Sequence, residues 1–477
     1  MAAESRARSA VDSLPRVPRW AFAAGAALAA VLFGRLVADG KMKYGFAIVL
    51  AAAFMPVVLF DLAASFAAYV GITFFQNLSF LSSLPNAIGV LVALGWLGTF
   101  LTSHRAAAVV REHGRILLTI VFLCIWVTLS IAWAPQTGAA GTEAGYWWLA
   151  ALAFLIALTT LSGPREISYV LIAFIMGSVI SVLIGLATGG LNTSDATSST
   201  TTAIQGRFTG GSGDPNLEAA AFVATMFLIM GMLSVYRSAR ARFWLVVSFV
   251  IVTIGFIATE SRGGLLALAV AAIAALVLSP RHRKRIVGLL ATALVAAGVL
   301  LIAQPGSLSR ITDFGGGSSG RSDLWRVAWH VFTGHPFVGV GIANFVVVEA
   351  NYVLEPGTIS RIQYIVEQPH LVHNSYLQVL AETGVIGLAA FLAVLWVTLR
   401  AGWRAIKEFE AKGLTNYADL VRAVLMGTIG MLAADFFISD GNDPLLWVLL
   451  SLGPVLLTLA RGSPPAAAAD AGSAAVP

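Results

Sequence analysis

Apolar stretches long enough to cross a bilayer recur along nearly the whole chain, and a chain built that way cannot hide its apolar surface in water. A spanning helix needs about 20 mostly apolar residues. Such stretches occur near 20–38, 44–60, 62–80, 86–103, 115–134, 145–162, 167–188, 216–236, 243–259, 264–279, 286–303, 376–399, 422–440 and 444–461. They predict roughly twelve to fourteen spans, the lower figure applying if 44–60 and 62–80 form one hairpin broken around Pro56 and Asp61. Composition agrees: 58% of the 477 residues are hydrophobic and 11% are charged, against about a quarter charged in soluble domains. The expected fold is all-α, a polytopic transmembrane helical bundle.

Lys and Arg placement sets the expected orientation. One set of loops carries Arg105, Arg111, Arg115, Arg165, Arg237, Arg240, Arg242, Arg281, Arg283, Lys284, Arg285, Arg400, Arg404, Lys407, Lys412 and Arg422. With Arg6, Arg8, Arg16, Arg19 and Arg461, that side is expected to be cytoplasmic and to hold both termini. The net charge of +6 therefore reads as membrane orientation, not as a nucleic-acid surface. Arg35, Lys41, Lys43, Arg207, Arg262, Arg310, Arg321, Arg326 and Arg361 fall on the other side, against the topology rule, and need a reason. The first apolar stretch follows the N-terminal arginines without a clear cleavage site, so a retained helix is expected.

These boundaries divide the chain into a cytoplasmic segment 1–19, spans over 20–303 with an outward Ser/Thr/Gly-rich loop at 189–215, a large extracytoplasmic loop at 304–375, spans over 376–461, and a disordered cytoplasmic tail at 462–477. No internal repeat is apparent. Cys124 is the single cysteine, which rules out a disulfide framework and a Cys metal site.

The large loop is the most informative region. After Gly315–Gly320, the segment from Arg321 to Thr333 places Leu324, Ala328 and Val331 at helical spacing, with Trp325, Trp329 and Phe332 beside them. An amphipathic helix at the membrane surface is predicted, with Ser318 or Ser319 as N-cap. At the loop's end stand His370, His373 and Asn374. A histidine there is able to take a proton from a hydroxyl near neutral pH, and Asn374 is placed to orient a sugar or a side chain. Glu382 lies about 13 Å further along a continuous helix, too far to orient His373. As an intramembrane carboxylate it counts as a candidate functional residue.

Arg262 occupies the short outward hairpin Thr259–Gly264, and Arg207 precedes a spanning helix that Asp214 or Asn216 caps. Arginine's fork donates two hydrogen bonds at once to a phosphate, although snorkelling to headgroups is the simpler role for each arginine alone. Arg207, Arg262 and Arg321 at one membrane face, together with a histidine, suggest a site for a lipid pyrophosphate. The first outward loop, about Asp39 to Tyr44, offers no paired carboxylates. Motifs of zinc proteases, serine hydrolases and phosphate-loop motors are also absent from the sequence.

Together these residues resemble the O-antigen ligase and O-antigen polymerase superfamily. His373-Asn374, nine residues, then Gly384-Val-Ile-Gly387 fits its His-(Asn/Ser/Gln)-x9-Gly-x-x-Gly pattern. Ser261-Arg262-Gly263 looks like its Ser-Arg-Gly element, and Gly320-Arg321 with Pro336–Gly341 looks like the start of its large periplasmic loop. Gly213-Asp-Pro-Asn216 is similar to its upstream Asn-Pro-Asn turn. The resemblance covers roughly 205–400.

It implies a glycosyltransferase of the bacterial inner membrane, making cell-envelope polysaccharide such as the O-antigen of lipopolysaccharide. The donor is an undecaprenyl-pyrophosphate-linked glycan and the acceptor a glycan or lipid-linked hydroxyl. By that resemblance His373 is the general base, Arg262 and Arg321 stabilise the leaving pyrophosphate with Arg207, and Asn374, His370, Glu382 and Asn216 contact substrate. No metal or cofactor is implied. His370 remains an alternative base, ligase and polymerase are not separated, and a flippase or transporter of lipid-linked glycan is the second reading. The asymmetric placement of the large loop counts against transport.

Overall fold

The computed structural model describes residues 42–76, 84–187, 208–278, 321–353 and 370–465, with a few isolated positions besides. Those residues form helices Met42–Phe60 (α1), Leu62–Thr73 (α2), Leu84–Phe100 (α3), His104–Glu112 (α4), Gly114–Leu129 (α5), Thr137–Thr160 (α6), Pro164–Ala187 (α7), Pro215–Val235 (α8), Ala239–Ala258 (α9), Arg262–Leu278 (α10), Arg321–Gly334 (α11), Phe345–Val353 (α12), Ser375–Ala411 (α13), Thr415–Ala434 (α14) and Pro444–Gly462 (α15). No strand occurs among the described residues. The protein is an all-α polytopic bundle, as the apolar periodicity predicts.

Among the described residues, eight helices are long and apolar enough to cross a membrane, or nine if the bent pair α3–α4 is one span. The sequence expectation of twelve to fourteen is higher for physical reasons. The stretches 20–38 and 286–303 lie outside the described residues. α2 has 12 residues, only about 18 Å of rise. α3 turns through 98° into α4. Asp61 does mark a break: its side chain accepts from Ala64 N at 2.9 Å and caps α2, while Pro56 stays inside α1. The stretch predicted at 422–440 is shifted. α14 ends at Ala434, and 435–443 is a loop with a structural task. Arg422, read as a loop residue, lies inside α14 and pairs with Asp419 and Glu410.

α8 and α15 form the centre of the bundle. In each, 78% of the apolar window is buried, against 28% in α9. Lipid-facing stripes such as Leu118, Val121, Phe122, Ile125 and Leu129 on α5 stay exposed, which an aqueous protein could not tolerate at this scale. Helices approach closely through small residues. On α14, a Cβ added at Gly430 would fall 2.7 Å from Val223 of α8.

The feature that positions the functional end is a break in α13. Gly384 has φ 70° and ψ −172° inside this 37-residue helix, a conformation that glycine alone adopts readily. A side chain there would also strike the Phe337 carbonyl. The break leaves helical carbonyls and an amide without intrahelical partners, which is costly at membrane depth. The loop at 336–341 supplies them. Val340 N donates to Ala381 O at 3.1 Å, Gly341 N to Glu382 O at 2.8 Å, and Val385 N to Pro336 O at 2.9 Å. Trp126 of α5 donates to Thr383 O at 2.9 Å.

Glu382 completes the joint. Its carboxylate accepts from Ala343 N at 2.9 Å and Phe345 N at 3.3 Å. On the other side of the loop, Ser130 Oγ accepts from Ile342 N, and Asn344 Oδ1 accepts from Gln136 N at 2.7 Å. The loop is thus wedged between broken α13 and the α5–α6 turn.

Removing the carboxylate should loosen this joint. Glu382→Ala leaves two buried amides unpaired, each worth about 1–3 kcal/mol. The expected result is a clear fall in unfolding temperature of the purified protein in detergent, with Glu382→Gln intermediate. An unchanged temperature for Glu382→Ala would contradict the clamp.

Candidate active site

The N-termini of α8, α10, α13 and α15 lie at one end of the bundle, where α11 packs across α13. Asp214 caps α8, accepting from Asn216 N at 2.6 Å and Leu217 N at 3.2 Å, so Asp214 and not Asn216 is the cap. Asn216 is instead bonded sideways, its Oδ1 accepting from Ser261 Oγ at 2.8 Å. Ser261 Oγ also accepts from Gly264 N at 3.0 Å. These bonds fix the hairpin, and the exposed Arg262 side chain begins α10 beside it. Helix N-termini carry partial positive charge, so this end favours an anion.

α11 forms as its pattern predicts. Leu324, Ala328 and Val331 are buried, and Trp329 stays exposed. Ser318 and Ser319, the predicted caps, lie outside the described residues. Trp325 of α11 packs tilted against Phe437, ring centroids 6.3 Å apart, and Phe437 in turn covers Gly263, whose added Cβ would meet it at 2.9 Å. A continuous apolar contact therefore joins the Arg321 helix to the Arg262 hairpin.

His373 stands directly before α13 with φ 53°, a left-handed conformation uncommon outside glycine. The residues after it hold it there. Asn374 caps α13 by accepting from Leu377 N at 3.0 Å. Ser375 N donates to Asp435 O at 2.8 Å, and Ser375 Oγ donates to Ile438 O at 2.8 Å while accepting from Asp440 N at 3.0 Å. Tyr376 OH donates to Leu432 O. The 435–443 loop thus grips the head of α13.

The His373 ring is held well below the usual histidine range, at about 4. Burial is the main cause, the charges of Arg321 and His370 add to it, and Asp214 opposes. Arg321, His370 and Asp214 therefore lie close enough to act on His373 electrostatically. At neutral pH the ring is uncharged and has a lone pair to offer.

Of the residues singled out in the sequence, Arg321, His370, His373 and Asn374 gather at this end, with Arg262 on the adjoining hairpin and Asn216 in the first turn of α8, bonded to it. Arg207 lies outside the described residues. Its neighbour Phe208 donates to Ala258 O at 3.2 Å, near the hairpin. Glu382 departs from its expected substrate contact. It is 1% exposed, and its carboxylate oxygens are occupied by loop amides, which gives it a structural task.

Several residues here carry no sequence motif. Ser375 is one. Glu349 of α12 accepts from His370 N at 2.7 Å, and burial pushes its carboxyl up to about 7. Buried Glu218 accepts from Ser181 Oγ and Ser212 N, each at 2.8 Å, which shapes the turn before α8. Among the described residues, no three His, Cys, Asp or Glu side chains are grouped as metal ligands.

The grip on α13 predicts that Ser375→Ala leaves Asp440 N and Ile438 O unsatisfied, at about 1–3 kcal/mol for each buried group. Amide hydrogen exchange should then rise across 370–378 and 435–443. Protection equal to wild type in both segments would remove Ser375 from this role.

Residues 247–392 match the O-antigen ligase family model. The match is narrower than the 205–400 suggested by motifs and leaves out Arg207 and Asn216. No curated protein matches the chain. The matching segment runs from within α9 to α13 and contains Arg262, Arg321, His370, His373, Asn374 and Glu382, so the match supports the resemblance to the O-antigen ligase and polymerase superfamily over that part of the chain.

Proposed function

We propose that the protein is a glycosyltransferase of the bacterial inner membrane. It moves a glycan from an undecaprenyl-pyrophosphate donor to an acceptor hydroxyl at the extracytoplasmic face. The observation that carries this reading is His373 at the head of α13, held uncharged beside Arg321. A neutral imidazole next to a permanent cation suits a reaction that removes one proton and releases one anion.

In this scheme the His373 ring accepts the proton of the acceptor hydroxyl. The oxygen then attacks the anomeric carbon as the bond to the pyrophosphate oxygen breaks. The carbon is inverted, and undecaprenyl pyrophosphate leaves with both bonding electrons. Arg321, Arg262 and Arg207 hold that growing charge in a site of low dielectric, where donors already in place are most effective. The helix N-termini add to the same field. Asn374 and Asn216 hold the head of α13 and the hairpin in place through their bonds to Leu377 N and Ser261 Oγ, and Asp214 tempers the positive charge around His373. The first outward loop, with no paired carboxylates, fits a reaction whose anion is held by arginine.

The test is transfer in liposomes. Purified protein is given an undecaprenyl-pyrophosphate glycan from its host, with EDTA present. Wild type should lengthen glycan chains or attach them to an acceptor. His373→Ala and Arg262→Ala should each lose about 100-fold or more, the range for a general base or a charge-stabilising donor. Movement of glycan-lipid across the bilayer without transfer, or two active variants, would replace this reading with transport.

The pH profile gives a second prediction. A base must be unprotonated, so activity falls as pH drops through its pKa. For the free enzyme kcat/KM should stay flat down to about pH 5 and fall near 4, because that profile reports the unliganded base. The bound pyrophosphate offsets Arg321, so the acid limb of kcat should lie at higher pH. A kcat/KM limb near 6.5 would contradict the environment described for His373.

A further inference from the structure

A second charged site lies at the opposite end of the bundle. Arg400 is about 38 Å of helical rise beyond Ser375 on α13. Here the α4–α5 turn, α13 and α15 enclose a cavity of 490 Å³, within the range of ligand sites, about 300–1,000 Å³. Arg111, Arg115, Arg400, Arg404 and Arg461 line it, with Trp396 on its wall. Glu112 is the single carboxylate among the lining residues, and it is taken by Arg461 at 2.6 Å. Among the described residues Arg111, Arg115, Arg400 and Arg404 have no ion-pair partner.

Like charges gathered on three helices repel one another and oppose the packing that brings them together. Full hydration relieves that repulsion at a flat surface, but less well in a recess whose wall includes Ile116, Val397 and Leu457. The recess also faces the bilayer. Trp396 is 65% exposed and Trp403 is 40% exposed on the same helix, and Lys407 lies over the Trp403 ring at 5.8 Å. Exposed tryptophan beside Lys and Arg marks the headgroup level of a membrane. An anionic lipid presented there would lay its acyl chains along the apolar face of α13.

We propose that this cavity binds the phosphate of an anionic phospholipid. The forked guanidinium groups bridge its phosphate oxygens, and the acyl chains pack beside Trp396. Basic pockets between spanning helices suit such headgroups in general. The site is separate from the one at His373 and does not depend on the reaction proposed there.

The test uses the full chain in a neutral detergent. Its unfolding temperature is followed while phosphatidylglycerol, phosphatidylcholine or inorganic phosphate is added at matched concentrations. Phosphatidylglycerol should raise the temperature saturably, and the other two should not. The double variant Arg400→Gln/Arg404→Gln should need about tenfold more phosphatidylglycerol or greater, as expected when charge-assisted hydrogen bonds are lost. Lys407→Gln, which does not line the cavity, should respond like wild type.

Equal stabilisation by phosphatidylcholine, an equal response in the double variant, or inorganic phosphate matching the lipid would each overturn the proposal. If the double variant does not fold, wild type decides by native mass spectrometry from discs of the two lipids in equal amounts. Retained phosphatidylglycerol upholds the proposal, and no preference overturns it.

Discussion

The break in α13 at Gly384 governs how the functional end is built. A continuous helix would satisfy its own backbone and give the large loop nothing to bind. Because the helix opens there, Ala381 and Glu382 present carbonyls and Val385 an amide, and the loop at 336–341 meets them. Glu382 then reaches forward to two loop amides. The loop leads from α11, which carries Arg321, to α12, whose Glu349 holds the His370 backbone. The joint at Gly384 thus sets the distance between an arginine and a histidine that are far apart in sequence.

The second constraint is electrostatic. Membrane insertion disfavours arginine on the translocated side, and burial disfavours a charged histidine. In the proposed orientation both penalties are met at one end of the molecule, at Arg262, Arg321 and His373. The combination is stable because the histidine is neutral and helix N-termini and Asp214 sit nearby, and it leaves a region prepared for an anion. At the other end, arginines line a recess, where the same chemistry is proposed to serve lipid contact. On the two proposals, the protein separates two anion-binding settings along its long axis, one beside an ionisable base and one without.

The fold class was legible because apolar stretches of spanning length leave few alternatives. The number of spans was less so. Hydropathy cannot see that α2 stops at 12 residues or that α3 bends by 98°, since both depend on packing. The amphipathic face of α11 was readable, because Leu324, Ala328 and Val331 repeat at helical spacing. The glycines at 384 and 387 were readable as a pattern, but their reason was not. Gly384 is needed for its backbone angle, and a side chain at Gly387 would collide with Thr383. The structural task of Glu382 was not legible. An intramembrane carboxylate looks functional by its cost, and only the fold reveals the amides that satisfy it. Ser375 and Asp440 were invisible because their roles run through backbone groups of a loop that hydropathy had assigned to a helix.

The central proposal is that a neutral His373 acts as base beside an arginine site that holds the donor's pyrophosphate. The most direct measurement is the pKa of His373, read by mass spectrometry from the pH dependence of deuterium uptake at the imidazole C2 position, with and without undecaprenyl pyrophosphate. The account predicts a value near 4 in the protein alone and a rise of about one unit or more when the anion binds beside it. A value that is already near 6.5 without ligand, or one that does not move when the pyrophosphate lipid is bound, would contradict it.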